Sequence, residues 1–323
     1  MWSQSSRFGM KPIAATAPGK LILFGEHAVV HGQPALAVPL TALTATVTAE
    51  ATLLNSGLHI LLPDSRHHHT LRVYPGNDTE NALVYTAQLV LKTLGITTMP
   101  DLKLILHSTI PLAAGFGSGA AVSAALAQAL SQALGHPLDY ETLNELVYEV
   151  EKIHHGTPSG IDNTVIVYQK PVYFVRGKPL ETFTIPRPFW LVVGNLGHAT
   201  PTHITVGTVR ELVEREPQRI QPIFGRIGEI ANQARTLIET GQPDLLGPLM
   251  DENHALLREL TVSDDELDQF CAVARQAGAT GAKLTGGGRG GNMIALVDEK
   301  TAPAVQEALK QAGAAKVFTT QVG

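Results

Sequence analysis

The sequence predicts a two-domain protein of mixed α and β structure, and three observations lead to this fold class. The chain has 323 residues, which exceeds the usual size of a single hydrophobic core. Strand-like segments alternate with helical ones, which is typical of α/β and α+β architectures. Glycines and prolines recur after residue 176. This change of composition predicts a domain boundary near residue 185, with domains 1–185 and 186–323.

The elements of the first domain follow from hydrophobic periodicity. Strands are predicted where apolar residues run together or alternate with other residues, at 20–25, 41–52, 102–107, 165–168 and 172–175. Helices are predicted where apolar residues recur every three or four positions, at 81–94, 120–134 and 140–153. Glu151 lies at the edge of the apolar stripe of the last helix, so we expect it to face a cleft.

The second domain is predicted by the same rules. A strand at 190–194 precedes helices at 204–215, 221–240 and 244–260. Ser263 and Glu266 form a capping box that predicts the start of a further helix, and Cys271 lies on the apolar side of that helix. A strand, a loop with five glycines and a second strand follow between residues 282 and 297.

Composition predicts a protein that acts on small molecules in the cytoplasm. A net charge of −5 without a run of Lys and Arg offers no footprint for nucleic acid or an anionic membrane. The single cysteine excludes an internal disulfide and favours a reducing compartment. Residues 1–11 lack a signal-peptide core, and no apolar run approaches the roughly 20 residues of a membrane span. For the triplet His67-His68-His69 we expect a solvated loop, because adjacent imidazoles cannot all face one metal.

The segment 111–121 is the most informative part of the chain. Gly115, Gly117 and Gly119 lie within five residues and lead into a helix of small side chains. Glycines let the backbone approach an anion, and the first N–H groups of a helix attract phosphate. The segment therefore predicts a triphosphate-binding loop, although an ordinary strand-to-helix turn can also contain glycines.

The five-glycine loop at 286–291 and three charged residues add to this pattern. Ordering so many glycines costs entropy, which a bound anion or a close backbone neighbour would offset; a flexible hairpin tip is the alternative. Glu151 and Asp162 suit the metal-binding and hydroxyl-activating roles of phosphoryl transfer, and Lys20 could stabilise developing charge. Each of the three also has a structural explanation, as a helix-edge charge, a turn residue and a surface lysine.

Taken together, these segments resemble the GHMP kinase superfamily along nearly the whole chain. Three blocks occur in the family's order, at 17–32, 111–121 and 283–291. The resemblance implies a two-domain α+β fold, with an amino-terminal α/β domain, a carboxy-terminal ferredoxin-like domain and the active site in the cleft between them. Gly25-Glu26-His27 and the segment 155–162 are most similar to the family members that act on mevalonate.

The resemblance implies ATP-dependent phosphorylation of the primary 5-hydroxyl of mevalonate, with Mg²⁺, in isoprenoid precursor biosynthesis. Asp162 would accept the hydroxyl proton, and Lys20 would hold and polarise the pair formed by Asp162 and that hydroxyl. Glu151 and Ser118 would be the metal ligands. The implied phosphate-binding residues are Pro111, Ala114, Gly115, Phe116, Gly117, Ser118, Gly119 and Ala120. The implied substrate-binding residues are Glu26, His27, Thr202 and Gly287.

Two departures from the family pattern affect these assignments. Most relatives have a second serine after Ser118, whereas this chain has Gly119, so either Ser118 takes its place as a ligand of Mg²⁺ or water does and Glu151 is the only protein ligand. Asn195 stands where relatives often have an acid, which weakens the assignment of Thr202. Alternatives are a kinase for phosphomevalonate or for the 3-hydroxyl of mevalonate, and a catalytically silent metabolite-binding homologue. A homodimer is one candidate assembly.

Overall fold

The computed structural model of the protein describes residues 11–64, 69–112, 114–155 and 158–323. The expectations for the amino-terminal ten residues, for His67 and His68, for Ala113 in the predicted phosphate loop and for residues 156 and 157 of the segment 155–162 lie outside the described residues. The chain divides into two compact units. The described residues of the first unit lie within 1–19, 43–111 and 117–169, and those of the second lie within 20–42, 112–116 and 170–323. The boundary near residue 185 stays a prediction.

The sheet of the first unit is built from strands that hydrogen-bond in the order β4-β3-β5-β2. The strand bounds are β1 (Ile13–Phe24), β2 (Ala35–Ala51), β3 (Leu58–Leu62), β4 (His69–Val73) and β5 (Leu102–Ser108). β3 and β5 are parallel, whereas β3 pairs with β4 and β5 with the end of β2 in antiparallel register. The expectation of a loop at His69 was wrong, because this residue begins β4.

The helices of the first unit are α1 (Ala82–Thr93), α2 (Ser118–Ala133), α3 (Tyr140–His155) and α4 (Ile161–Tyr168). Twelve of the sixteen residues of α2 are buried, as its small side chains predict. The prediction of a strand at 165–168 was wrong, since these residues end α4. Val165, Ile166 and Val167 are fully buried there, and the burial of β-branched side chains overrides their preference for strands.

The second unit contains a four-stranded antiparallel sheet with the strand order β11-β8-β10-β9. Its strands are β8 (Phe189–Ala199), β9 (Gly281–Thr285), β10 (Gly290–Val297) and β11 (Lys316–Val322). Numbered along the chain, this order is fourth, first, third, second, which is the ferredoxin-like arrangement that was predicted. Two short strands, β6 (Val172–Phe174) and β7 (Glu181–Thr182), pair with each other, and β6 also pairs with Ala35–Ala37 of β2.

Helices cover this sheet and enclose the core of the unit. They are α5 (Thr202–Arg215), α6 (Pro217–Glu239), α7 (Leu246–Glu259), α8 (Asp265–Gln276) and α9 (Ala302–Gln311). Cys271 is fully buried in this core, which confirms its predicted packing role, and burial raises the pKa of its thiol to about 12.

The predicted capping box of α8 was wrong by one residue. Asp264 is the N-cap, and its carboxylate accepts the Leu267 N–H at 2.8 Å. The hydroxyl of Ser263 instead donates to Asp268 at 2.6 Å. Among the helices that the structure describes, none has the length and apolar character needed to cross a bilayer.

Candidate active site

The glycine-rich segment at 114–118, which was predicted to bind phosphate, contains two glycines with positive φ. Gly115 and Gly117 have φ values of 78° and 74°, which lie in the left-handed region that favours glycine. Helix α2 begins at Ser118, two residues earlier than predicted, with Gly117 as its N-cap. Since glycine has no side chain that could cap the helix, the first N–H groups of α2 are not capped by this residue.

The part of this loop that belongs to the second unit is held at three points. The side-chain amide of Asn292 donates to the carbonyl of Ala114. The backbone N–H of Lys20 donates to the carbonyl of Phe116 at 2.9 Å. The Phe116 ring is buried and meets Phe318 edge-on, with 6.1 Å between ring centroids. Lys20, itself 8% exposed, therefore lies directly beside the predicted phosphate loop.

A buried ion pair joins Glu26 to Lys283 on β9. The Lys283 ammonium donates to a carboxylate oxygen of Glu26 and, at 2.7 Å, to the carbonyl of Leu284. The two side chains are 1% and 0% exposed. Burial is the largest influence on both groups: it raises the pKa of Glu26 and lowers the pKa of Lys283, while each partner's charge acts in the opposite sense. The other oxygen of Glu26, Oε2, is buried and has no hydrogen-bond partner within the described part of the chain.

The backbone at His27 forms a strained turn. His27 has φ 61° and ψ −48°, and the N–H of Ala28 donates to the carbonyl of Glu26 at 2.7 Å. This is a γ-turn with positive φ, which is rare and strained for a residue with a side chain. The preceding Gly25 fits closely, because a Cβ there would come within 2.3 Å of the carbonyl oxygen of Pro34.

His27, Gly287 and Thr202, three of the four predicted substrate-binding residues, meet at the glycine-rich hairpin. The Nε2 of His27 lies 3.0 Å from the carbonyl oxygen of Gly287. Since a carbonyl only accepts, Nε2 carries the proton and Nδ1 is an acceptor, and the buried Nδ1 has no partner among the residues described. Burial lowers the pKa of His27 to about 4, so the ring is neutral at pH 7. A Cβ at Gly287 would lie 2.9 Å from Oγ1 of Thr202.

The predicted catalytic and metal-binding acids belong to the first unit. Asp162 lies in the first turn of α4, the helix that stands in place of the strand predicted at 165–168, and it is half-buried. The amino-terminal end of a helix stabilises a carboxylate. Glu151 on α3 is 3% exposed. The buried Oγ of Ser118 makes no hydrogen bond with any described residue. In the described part of the chain, no cluster of three or more His, Cys, Asp or Glu side chains could hold a metal ion.

Lys283 and Asn292 have no individual role predicted from the sequence. A lone lysine in the apolar strand Ala282-Lys283-Leu284 was an available signal, because lysine is almost never fully buried unless it is paired. No comparable signal identified Asn292, since its contacts depend on strand register.

Comparisons with known proteins agree with this fold. The family model described as GHMP kinases N terminal domain matches residues 81–170, and the model described as GHMP kinases C terminal matches residues 234–315. A kinase of this type transfers a phosphoryl group, and membership of a kinase family implies ATP as the donor. The two matches together cover more than half of the sequence, so the chain belongs to the GHMP kinase family.

Within the family, several of the similar proteins are mevalonate kinases. The mevalonate kinase of Pyrococcus horikoshii is 34% identical over 327 residues, with 96% of each chain covered. The crystal structure of L. major mevalonate kinase in complex with R-mevalonate has a TM-score of 0.83 and 29% identity, and covers 96% of this chain and 95% of that chain. The Methanococcus jannaschii mevalonate kinase has a TM-score of 0.84 and 25% identity over 97% of this chain and 98% of its own.

Proposed function

We propose that this protein phosphorylates the primary 5-hydroxyl of mevalonate with ATP to give 5-phosphomevalonate. The observation that carries the proposal is the near full-length similarity to mevalonate kinases. In agreement with it, His27 and Thr202, two of the residues expected to bind the substrate, both lie against a third, Gly287. A protein of this activity would act on two small molecules. The cytoplasmic location and the homodimer stay predictions.

Asp162 is proposed as the base. It would take the proton from the primary hydroxyl as the hydroxyl oxygen attacks the γ-phosphorus of ATP and ADP leaves. It lies in the first turn of α4, and a carboxylate there suits the field of the helix N-terminus. Lys20 would support the negative charge that develops, and its backbone bond to Phe116 keeps it beside the phosphate loop.

Glu151 and Ser118 are proposed as the protein ligands of Mg²⁺. A carboxylate and a hydroxyl are hard oxygen donors of the kind that Mg²⁺ prefers, and the ion takes its remaining ligands from water and ATP phosphates. The buried, unpartnered Oγ of Ser118 fits this role, because an oxygen atom in that state lacks one favourable interaction. When bound, the ion would neutralise charge on the transferred phosphoryl group.

Glu26 and His27 are proposed to bind the acceptor substrate. Oε2 of Glu26 and Nδ1 of the neutral His27 are buried acceptors on consecutive residues, so they suit a ligand that donates hydrogen bonds through hydroxyls. The surroundings of Glu26 and His27 are poorly suited to a second phosphate on the substrate. His27 is neutral, and the Lys283 ammonium is fully buried against Glu26. These features favour mevalonate over phosphomevalonate.

The test is an ATP-dependent phosphorylation assay with mevalonate, phosphomevalonate and no acceptor, on wild type and Asp162→Asn. The proposal predicts turnover with mevalonate and a loss of at least about 100-fold in kcat for the variant, as expected for a removed general base. ADP affinity serves as the control for intact folding and should stay unchanged. A wild-type protein that binds ADP without turnover would indicate the silent homologue instead, and full activity of the variant would remove Asp162 as the base.

A further inference from the structure

We infer that two buried side-chain amides, Asn195 and Asn292, act as a positioning pair that fixes the direction of the peptide between Ala114 and Gly115. This inference rests on the proposed role of that segment in binding the phosphates of ATP. Neither residue is a proposed ligand of the nucleotide. Their effect on it passes through the backbone of the loop.

The two asparagines face each other across neighbouring strands. Asn195 on β8 and Asn292 on β10 are partners in the antiparallel register, and they are 8% and 4% exposed. Asn195 Nδ2 donates to Asn292 Oδ1 at 2.7 Å and to the carbonyl of Gly291 at 3.3 Å. Asn195 Oδ1 accepts the N–H of Gly197 at 2.9 Å.

These contacts leave one orientation for each amide. The N–H of Gly197 can only donate, so it requires the oxygen of Asn195, and this places Asn195 Nδ2 toward Asn292. Asn292 must then present its oxygen to Asn195, which turns its own Nδ2 toward the carbonyl of Ala114. The direction of every hydrogen bond in this series is thus set by a backbone group at one end.

The consequence for the loop follows from peptide geometry. The C=O and N–H of a trans peptide point in opposite directions. Because Asn292 holds the carbonyl of Ala114, the N–H of Gly115 points away from the amide pair and is presented as a donor. A Cβ built at Gly115 would have Asn292 Nδ2 as its neighbour at 3.7 Å, so the amide also lies against the first glycine of the loop.

An acid at position 195 would not do the same. An aspartate has no hydrogen to donate, so it would accept from Asn292 Nδ2 and turn that amide away from Ala114. The partner that makes the amide of Asn195 necessary in this chain is Asn292. Asn195→Asp is therefore a disruptive change in this protein even though the two side chains have the same shape.

The experiment measures the Kd of ADP in the presence of Mg²⁺ by calorimetry for wild type, Asn195→Asp, Asn292→Ala and the double variant, together with Tm. We expect each single variant to bind ADP about tenfold more weakly, a factor equivalent to about 1.4 kcal/mol, which is the scale of one hydrogen bond. The double variant should be no weaker than Asn292→Ala, because Asn195 acts through Asn292. The KM for ATP should rise while the KM for the acceptor stays constant.

Thr319→Val is the matched control. Thr319 lies on β11, the strand that pairs with β8, and its hydroxyl accepts a hydrogen bond of 2.6 Å from the side chain of Gln306. Removing this bond should lower Tm without changing ADP affinity. If Asn195→Asp lowers Tm below the assay temperature, ADP affinity is compared between wild type and Asn292→Ala, which introduces no charge. ADP affinity unchanged in folded Asn292→Ala, or additive losses in the double variant, would overturn the inference.

The two proposals fail in different ways. A wild-type protein that binds ADP but does not phosphorylate mevalonate overturns the proposed function alone. A wild-type protein that phosphorylates mevalonate, with ADP affinity unaffected by either asparagine variant, overturns the positioning pair alone. A wild-type protein that does not bind ADP overturns both.

Discussion

Replacing Lys283 by methionine tests the buried ion pair that holds the strained turn at His27. Methionine keeps much of the side-chain volume but removes the ammonium. Because the Glu26 and Lys283 side chains are 1% and 0% exposed, water does not replace the lost partner. Glu26 must then either stay ionised without Lys283 or take up a proton.

The expected loss in the free energy of unfolding is about 3–5 kcal/mol, the usual result of removing one partner of a buried pair. Glu26→Gln should cost a similar amount, because it leaves the ammonium buried. The double variant Glu26→Gln with Lys283→Met has no buried charge, so it should be more stable than either single variant. The two substitutions are therefore strongly coupled: the loss of stability in the double variant is smaller than the sum of the losses in the single variants, because both groups are buried.

The pH dependence adds a second test of the same pair. Burial raises the pKa of Glu26 in the folded protein, so the folded state of Lys283→Met binds more protons than the unfolded chain above the ordinary pKa of a glutamate. The stability of the variant relative to wild type should therefore recover as the pH falls from about 8 to about 5.

Urea unfolding of wild type and the three variants at both pH values measures these effects. The KM for mevalonate should rise in both single variants, because the Glu26–Lys283 ion pair no longer fixes the turn at His27. The KM for ATP should change less. Additive effects of the two substitutions, or a loss below about 1 kcal/mol in Lys283→Met, would refute the assignment of this pair as a buried salt bridge.

Three further predictions concern single residues. Burial lowers the pKa of His27 from 6.5 to about 4, so its contribution to stability is complete above pH 6.5 and is lost as the pH falls toward 4. The slope is up to about 1.4 kcal/mol per pH unit, and urea midpoints across this range should show a flatter dependence in His27→Gln. Gly286→Ala should cost about 1–2 kcal/mol through its positive φ alone, whereas Gly288→Ala should cost more, since its Cβ would lie 1.9 Å from the carbonyl oxygen of Val262. Equal midpoints for the two glycine variants would contradict the close approach. Ser118→Ala should leave Tm unchanged but raise the Mg²⁺ concentration for half-maximal activity, and an unchanged Mg²⁺ dependence would exclude the hydroxyl as a ligand.

Much of the fold could be predicted from the sequence where periodicity is strong and the ends are marked. The helix predicted at 81–94 is α1 (Ala82–Thr93), which starts at an Asn81 cap whose side chain accepts two backbone N–H groups. The segment 165–168 could not be predicted locally. Its apolar residues suit a strand, and only their burial within the first unit makes them helical.

The candidate site divides in a similar way. Glycines with positive φ, such as Gly115 and Gly117, could be predicted because few other residues tolerate that backbone. The γ-turn at His27 could not, since histidine has no preference for it and the turn is held by distant contacts. The Asn195–Asn292 pair depends on the register of β8 against β10, which connects residues 97 positions apart.

Phosphorus NMR of the product formed from ATP and mevalonate by the wild-type protein is the most direct test of the proposed reaction. Transfer to the primary hydroxyl predicts a phosphomonoester signal coupled to the two protons of the adjacent methylene group. A signal without proton coupling would place the phosphate on the tertiary hydroxyl. That result, or the absence of any new phosphomonoester at saturating Mg²⁺ and ATP, would contradict the proposed function.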